Sequence, residues 1–511
     1  MPHAVEMTGI SKYFPSSNVQ ANRGVNFRVQ KAEIHALVGE NGAGKTTLMN
    51  ILYGLYEPDE GKILLDGQEV ILRHPQDAIR CGVDMVHQHF KLVPSFSVAE
   101  NILLGAEPGQ AGFLRPAMEN EVVRRLADSF GLPVDPQARV RDLPVGMQQR
   151  VEILKALQRD AQILLLDEPT AVLTPQETRE LFDVIRNLAQ RGRTIVFITH
   201  KLPEVMEIAD QVTVMRRGEV VANNLVSETS IPELARQMVG REVLFRVVKK
   251  PAAPGSIVAA VKNLVVAGAG GYPAVKGVSF HVRAGEILGI AGVNGNGQEE
   301  LVEAVTGMRP TEMGAVYLES HDITHLPVGE RRAKGLAHIP EDRMSTGLNL
   351  KTTLDENIIS TRYRLPEFSR RGFLLWANIR QFAEKIIKDL SVAAAHPGEG
   401  IDTLSGGNLQ KIVIGRELSG DPRFIVADQP TRGLDVGSIE FVHKTLIEAR
   451  DRGAAILLVS VELDEIRSLS DRILVMYRGR IAGELSANDA TEESLGILMA
   501  GGKLAQVEKE A

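Results

Sequence analysis

The sequence predicts an α/β chain made of two tandem copies of one unit, each a parallel sheet carrying a helical insertion. Three observations predict it. At 511 residues the chain is about three times the usual domain length, so two or more domains are expected. Blocks of sequence recur: Gly39-Glu40-Asn41-Gly42-Ala43-Gly44 returns as Gly292-Val293-Asn294-Gly295-Asn296-Gly297, an offset of 253, and Asp167-Glu168-Pro169-Thr170 returns as Asp428-Gln429-Pro430-Thr431, an offset of 261. Within each copy, short β-branched and leucine runs alternate with helical patterns, which is the order of an α/β domain.

The elements follow in order. Ile34 to Val38 reads as a strand running into a glycine loop, and Lys45 to Tyr53 as the helix after it. Ile163 to Leu166 and Thr194 to Thr199 are near-continuous apolar runs, the kind that a parallel sheet buries on both faces. From about Phe90 to Asp142 such runs thin out, so a helical subdomain is expected there. The second copy repeats this plan with about eight extra residues between its blocks, since 261 minus 253 is 8. Val247-Val248-Lys249-Lys250-Pro251-Ala252-Ala253-Pro254-Gly255 reads as a linker by its proline and glycine content. The expected domains are therefore 1–245 and 257–511, joined by 246–256.

Composition narrows the function classes. Hydrophobic residues at 44% and charged residues at 24% are those of an ordinary folded chain. The net charge of −7, with no basic tail, gives nucleic-acid binding no electrostatic help. The single cysteine, Cys81, excludes an intrachain disulfide and is expected to be a small buried hydrophobe. Nothing at the N-terminus resembles a signal peptide, and no apolar run approaches the roughly 18 residues of a spanning helix. A cytoplasmic chain is expected, reaching a membrane only through a partner.

Gly39-Glu40-Asn41-Gly42-Ala43-Gly44-Lys45-Thr46 fills the phosphate-loop template. Glycines let backbone N–H groups turn toward phosphates, the lysine reaches the β and γ phosphates of ATP, and the threonine hydroxyl ligates Mg2+. Thr47 follows in the first helical turn. Leu164-Leu165-Leu166-Asp167-Glu168 supplies the other half of such a site: an aspartate at a buried strand end for the magnesium shell, and an adjacent carboxylate to polarise the attacking water. His87 and His89 lack a third ligand for a metal site.

The order of glycine loop, Gln88, Leu404-Ser405-Gly406-Gly407, Asp167-Glu168 and His200 resembles the ATP-binding cassette ATPases over nearly the whole chain, twice. The tandem arrangement resembles the fused ATPase subunits of bacterial importers for simple sugars and nucleosides. His87-Gln88-His89-Phe90-Lys91-Leu92-Val93-Pro94 and Pro340-Glu341-Asp342-Arg343 resemble the nucleoside branch most. The resemblance implies that Gln88 touches magnesium and the attacking water, that His200 contacts the γ phosphate, and that Ser405, Gly406, Gly407 and Asp435 serve the nucleotide held by the first copy. Phe14, in preference to Tyr13, is implied as the adenine-stacking aromatic. The implied partners are two transmembrane permease subunits and, through them, an extracytoplasmic solute-binding lipoprotein, with the two cassettes pairing within one chain. A soluble tandem cassette protein working on ribosomes or nucleic acid is the contrasting class. Its usual charged linker or zinc modules are missing here.

The second copy departs from the pattern at its catalytic positions: Gln298 stands for Lys45, Glu299 for Thr46, Glu341 for Gln88, Gln429 for Glu168 and Val461 for His200. The first copy's departures are Pro144 and Val145 in its signature, and Thr174 where the second has Asp435. Sorted by the sharing that the resemblance implies, one set is intact throughout and the other altered throughout. One hydrolytic site is expected, beside one that binds nucleotide without turnover or serves as a dimerisation surface.

Overall fold

The computed structural model describes residues 3–15, 18–87, 90–110, 113–114, 116–170, 173, 175–242, 249–268, 271–293, 295–392, 396–499 and 501–502. The chain separates into two compact units, Met1–Val243 with Asp435–Gly437, and Leu244–Leu434 with Ser438–Ala511.

In the first unit the central sheet has the strand order Glu219–Leu225, Gln211–Arg216, Ile34–Gly39, Thr194–Ile198, Ile163–Asp167, Val83–Val86. All neighbours are parallel except the first pair, an antiparallel edge hairpin. Alternate residues of the central strands serve two cores. Ala36, Val38, Leu164, Leu166, Ile195 and Phe197 face one, whereas Leu37, Leu165, Val196 and Ile198 face the other. Burial on both faces is why these strands read as continuous apolar runs. The register pairs Ile198 with both Leu37 and Asp167. It therefore brings the C-terminal ends of Ile34–Gly39, Ile163–Asp167 and Thr194–Ile198 to one edge, where open parallel sheets bind ligands.

A second, antiparallel sheet of Val19–Val29, Val5–Phe14, Glu60–Leu65 and Gln68–Val70 covers the second core with Val5, Met7, Ile10, Phe27 and Ile63. The sequence carries little sign of it. Its half-buried alternation is interrupted by register shifts along Val5–Phe14, which blur the period of two. The helical subdomain holds Val98–Ile102 and Pro116–Phe130, with a short hairpin of Gly109–Gln110 and Phe113–Leu114 between them. Ser97 and Glu100 cap the first of these helices reciprocally.

The second unit repeats the plan. Its sheet order is Leu336–Ile339, Phe424–Asp428, Ala455–Ser460, Ile287–Ala291, Arg472–Tyr477, Arg480–Ser486. Its antiparallel sheet comprises Pro273–Arg283, Ile257–Ala267, Met313–Leu318 and His321–Asp322. Lys249 and Lys250, within the linker stretch, are strapped to this unit. Lys249 Nζ donates to Leu469 O at 3.0 Å and to Asp471 Oδ1 at 3.1 Å, and Arg450 donates to Lys250 O at 3.0 Å.

One expectation is corrected. Cys81 is exposed, not buried. It follows the helix Pro75–Arg80 as its C-cap, where its backbone N–H satisfies the last helical carbonyls. A one-residue cap before the turn at Gly82 has no core face on which to lay its side chain. Among the described residues no helix is long and apolar enough to cross a membrane.

Candidate nucleotide site

The buried strand Ile34–Gly39 delivers the glycine loop, and the helix Lys45–Leu52 leaves it. Two glycines are required sterically. A Cβ at Gly39 would lie 2.3 Å from Met215 O, and one at Gly44 would lie 2.2 Å from Ala21 O, with Gly44 itself at φ 95°. Gly42 is also left-handed, at φ 80°. The turn closes on itself through Ala43 N–H donating to Glu40 O at 3.1 Å, and Gly218 N–H donates to Ala43 O at 3.1 Å. Lys45 is buried, and its ammonium donates to Gly39 O at 2.7 Å and Glu40 O at 2.9 Å. It is curled into the loop against those two carbonyls. Burial lowers its pKa, while Glu168 and Asp167 oppose that shift. Thr46 stands exposed in the first helical turn, Thr47 is half-buried, and Asn41 is half-buried in the loop.

Asp167 ends the buried strand Ile163–Asp167. Burial, then the charge of Glu168, push its carboxyl up to about 6 against the pull of Lys45. Glu168 follows in a left-handed conformation at φ 47°, with its N–H donating to Ile198 O at 3.0 Å. Such a φ is strained for a non-glycine residue and is found where surrounding structure imposes it. The bend brings Glu168 Oε1 to 3.0 Å from His200 Nδ1. Burial opposes ionisation of Glu168, but the hydrogen bond and charge of His200, with Lys45 and Lys201, prevail and hold its carboxyl below the usual carboxylate range. The structure thus gathers Lys45, Asp167, Glu168 and His200 at one end of the first sheet.

Several supporting residues escaped the sequence. Buried Glu204 accepts from Thr170 Oγ1 at 2.6 Å and from Thr199 Oγ1 at 2.9 Å, tying together the segments that follow Glu168 and precede His200. Gln149, on the helix Val145–Gln158, donates to Pro169 O at 2.7 Å. Lys91 N–H donates to Glu152 at 2.6 Å and Val93 N–H to Asn101 at 2.7 Å, anchoring the stretch just after Gln88 onto the helical subdomain. The only signal for these was a polar residue inside an apolar helical pattern, and that does not name a partner.

Other sequence candidates fall as follows. Gln88 and Thr174 lie outside the described residues. Phe14 is half-buried, edge-on to Tyr56 with ring centroids 5.3 Å apart, and the ammonium of Lys12 lies 5.9 Å from its ring. Tyr13 is exposed, and its hydroxyl donates to Asn18 at 2.7 Å. Ser405, exposed, caps the helix Gly406–Leu418, with Asn408 donating to its hydroxyl at 2.9 Å. Gly406 and Gly407 form the first turn of that helix, and buried Asp435 lies just before the helix Val436–Asp451.

The second unit keeps the backbone and replaces the chemistry. Gly297 caps its loop helix at φ 99°, and a Cβ on it would meet Ala274 O at 2.5 Å. Gln298 is buried, its amide donating to Val293 O at 3.3 Å. Asn296 adds a latch with no counterpart at Ala43: it donates to Val293 O at 3.0 Å and accepts from Arg478 N–H at 2.7 Å. Gln429 repeats the left-handed turn at φ 46°, but its side-chain oxygen accepts from Val461 N–H at 3.2 Å. Asp428 is pushed up to about 7 by burial, then by Glu299 and Glu303. Glu341 pairs with Arg432.

Comparison with known proteins decides the family. Residues 22–171 and 275–432 match the family described as ABC transporter, once in each unit. The chain belongs to the ABC transporter family. It is an ATP-binding cassette ATPase in tandem form, and it is 47% identical over 501 residues to the guanosine import ATP-binding protein NupO of Bacillus subtilis (strain 168), covering 98% of each chain. It is 45% identical to the nucleoside import ATP-binding protein NupA of Lactococcus lactis subsp. cremoris, again over 98% of each. It is 38% identical to the ribose import ATP-binding protein RbsA of Bacillus licheniformis, over 98% of this chain and 100% of that one. A solved complex of an archaeal ribosome recycling factor with a ribosomal stalk protein matches 96% of this chain and 92% of its own, at TM-score 0.62 and 18% identity, which is a likeness of fold alone.

Proposed function

We infer that this protein is the ATP-hydrolysing, energy-coupling subunit of an importer for nucleosides or simple sugars, with nucleosides favoured by the two relatives at 47% and 45% identity. The observation that carries the hydrolytic part is the meeting of Lys45, Asp167, Glu168 and His200 in the first unit, beside the side-chain losses at Gln298, Gln429 and Val461 in the second.

In this reading the loop amides and Lys45 take the triphosphate, and Phe14 stacks on adenine. Ionised Glu168 accepts from the attacking water, and His200 holds Glu168 and meets the γ phosphate. Thr46 and Asp167 are oxygen donors of the kind Mg2+ takes, and among the described residues no group of three acidic, histidine or cysteine side chains could hold a metal by itself. The ion would therefore arrive with the nucleotide and neutralise charge on its phosphates. Gln88 is assigned to magnesium and water on the sequence pattern. Ser405, Gly406, Gly407 and Asp435 are assigned, on the same pattern, to the reaction of the first cassette, with domains at 1–245 and 257–511.

The partners in this reading are two permease subunits at the cytoplasmic face of the membrane, served outside by a solute-binding lipoprotein. The stretches 88–98 and 341–350 are the proposed permease contacts. Asn101 anchors Val93, and Asn357 anchors Asn349 through an N–H bond of 2.8 Å, so each stretch leads from a loop site into its helical subdomain. The test is co-expression with neighbouring permease genes, followed by nucleoside and sugar uptake in vesicles. Uptake of neither solute, with the complex intact, would reject the substrate assignment.

A further inference from the structure

The second unit carries a surface that the ATPase reaction does not use. Between the helices Leu354–Ile359 and Trp376–Asp389, residues Ser369–Arg370 and Phe373–Leu374 pair as a small antiparallel hairpin. Its two turn residues, Arg371 at φ 53° and Gly372 at φ 84°, are both left-handed, as a tight two-residue hairpin turn demands. The hairpin stands on its own small core: Phe368, buried, packs with Ile359, Ile379 and Phe382, the two phenylalanine rings lying 5.1 Å apart. Leu375 N–H donates to Phe368 O at 2.8 Å, and Asn378 donates to Glu367 O at 2.8 Å. This is a firm platform.

The platform displays apolar side chains to solvent. Phe373 is 77% exposed, Trp376 41% and Tyr363 42%. Around them the charge is predominantly positive. Residues 360–380 hold five arginines and one acid, Glu367, for a net charge of +4 in a chain of −7. Of the five, Arg362 is engaged with Ser419 at 2.9 Å and Arg380 faces Asp355 at 4.0 Å. Arg364, Arg370 and Arg371 are exposed beside the aromatics. The equivalent stretch of the first unit, 104–120, holds one arginine and two glutamates, a net charge of −1, and no tryptophan. The tryptophan and the excess of arginines therefore belong to one cassette only, whereas the hairpin phenylalanine is shared, Gly112-Phe113-Leu114 repeating Gly372-Phe373-Leu374.

We propose that the hairpin 369–374 and the start of the helix Trp376–Asp389 dock on the surface of an acidic phospholipid bilayer, with Phe373 and Trp376 entering the headgroup layer and Arg364, Arg370 and Arg371 meeting lipid phosphates. Amphipathic aromatic rings settle at membrane–water interfaces, and arginines near an anionic leaflet are attracted to it. Both classes are held here on one hairpin and helix start of an otherwise acidic protein. The proposal deepens the importer reading, which places the subunit beside a bilayer.

Trp376 is the only tryptophan in the chain, so its fluorescence reports on this surface directly. The full-length protein is titrated with vesicles of phosphatidylglycerol and phosphatidylcholine, and separately with pure phosphatidylcholine, without permease or ATP. Expected are a blue shift of Trp376 emission with the acidic vesicles, quenching by brominated acyl chains, and partitioning at least about tenfold weaker in the Arg370→Glu/Arg371→Glu protein. Circular dichroism and ATPase activity check that this variant is folded. Emission unchanged by acidic vesicles, or equal partitioning of the folded variant, overturns the proposal. So does a shift seen only when detergent-solubilised permease is added, which would assign the surface to a protein partner. The vesicle assay involves no transport, so its failure leaves the importer reading standing, and failed uptake leaves the lipid contact standing.

Discussion

Glu168 in the first cassette and Gln429 in the second occupy the same turn, at φ 47° and 46°, each donating its N–H to the neighbouring strand at 3.0 and 2.8 Å. The supporting bonds are also repeated, since Gln149 donates to Pro169 O and Gln410 to Pro430 O. Yet Glu168 meets His200, whereas the amide of Gln429 turns to the backbone of Val461. The strand-end aspartates differ in the same sense: Lys45 pulls Asp167 down toward ionisation, and Glu299 and Glu303 push Asp428 away from it. The comparison teaches that the strained backbone is retained for the fold of the cassette and does not by itself report catalysis. What differs between the two turns is the side chain that each presents and the partner it meets.

The largest effect should come from the carboxylate that distinguishes the two turns. Glu168→Gln is expected to lower steady-state ATP hydrolysis by about 10²- to 10⁴-fold, the usual worth of a positioned general base, while nucleotide binding measured by equilibrium dialysis persists. Gln429→Ala should change the rate less than about twofold. Turnover that survives the first change, or collapses with the second, would reverse the assignment of the cassettes.

Next in size is the loop lysine. Lys45→Ala should weaken ATP binding and lower activity by at least about tenfold, because it removes a charge-assisted contact to the phosphates. Gln298→Ala should leave nucleotide affinity nearly unchanged, since that amide is spent on Val293 O. A large loss of total bound nucleotide from the second change would show that the second loop holds ATP through Gln298.

A smaller effect should appear in stability against pH. A raised carboxyl pKa means that the native state binds more protons than the unfolded chain, so stability is greatest below the ordinary value of 3.8 and declines as pH rises through the folded value. For Asp428 that decline runs to about 7, and for Asp167 only to about 6. Asp428→Asn should therefore match the parent in melting temperature near pH 4 and exceed it by a few degrees at pH 8, each kcal/mol being worth about 2–4 °C in a domain of this size. Asp167→Asn should show a smaller gain. Equal gains would mean that Lys45 and the two glutamates do not distinguish the sites.

The smallest signal is protection at the proposed permease contacts. Hydrogen exchange of the assembled transporter, compared with the isolated chain, should slow within 88–98 and 341–350 by at least about threefold, as docking suppresses local opening. Protection confined to other surfaces would remove these stretches from the interface.

Much is legible in the sequence alone. The duplication, the glycine loop with Lys45 and Thr46, the Asp167-Glu168 strand end and the losses in the second copy are all written in contiguous residues. Their spacing follows from local geometry, in which a tight phosphate-binding turn needs glycine where a Cβ would collide. The parallel strands were legible because burial on both faces leaves an uninterrupted apolar run. The antiparallel sheets, by contrast, are hidden by bulges, and the exposure of Cys81 is not legible because composition does not show that the residue caps a helix at the surface.

By itself, then, the sequence determined which chemical groups each cassette possesses. Only the tertiary structure decided how they are held. The left-handed turn at Glu168, the bridge of Glu204 between Thr170 and Thr199, and the strap of Lys249 on Asp471 join residues from 5 to 222 positions apart. Hydrogen bonds of that kind depend on which strands lie side by side, and that order follows from burial of the sheet as a whole, not from any short stretch of the chain.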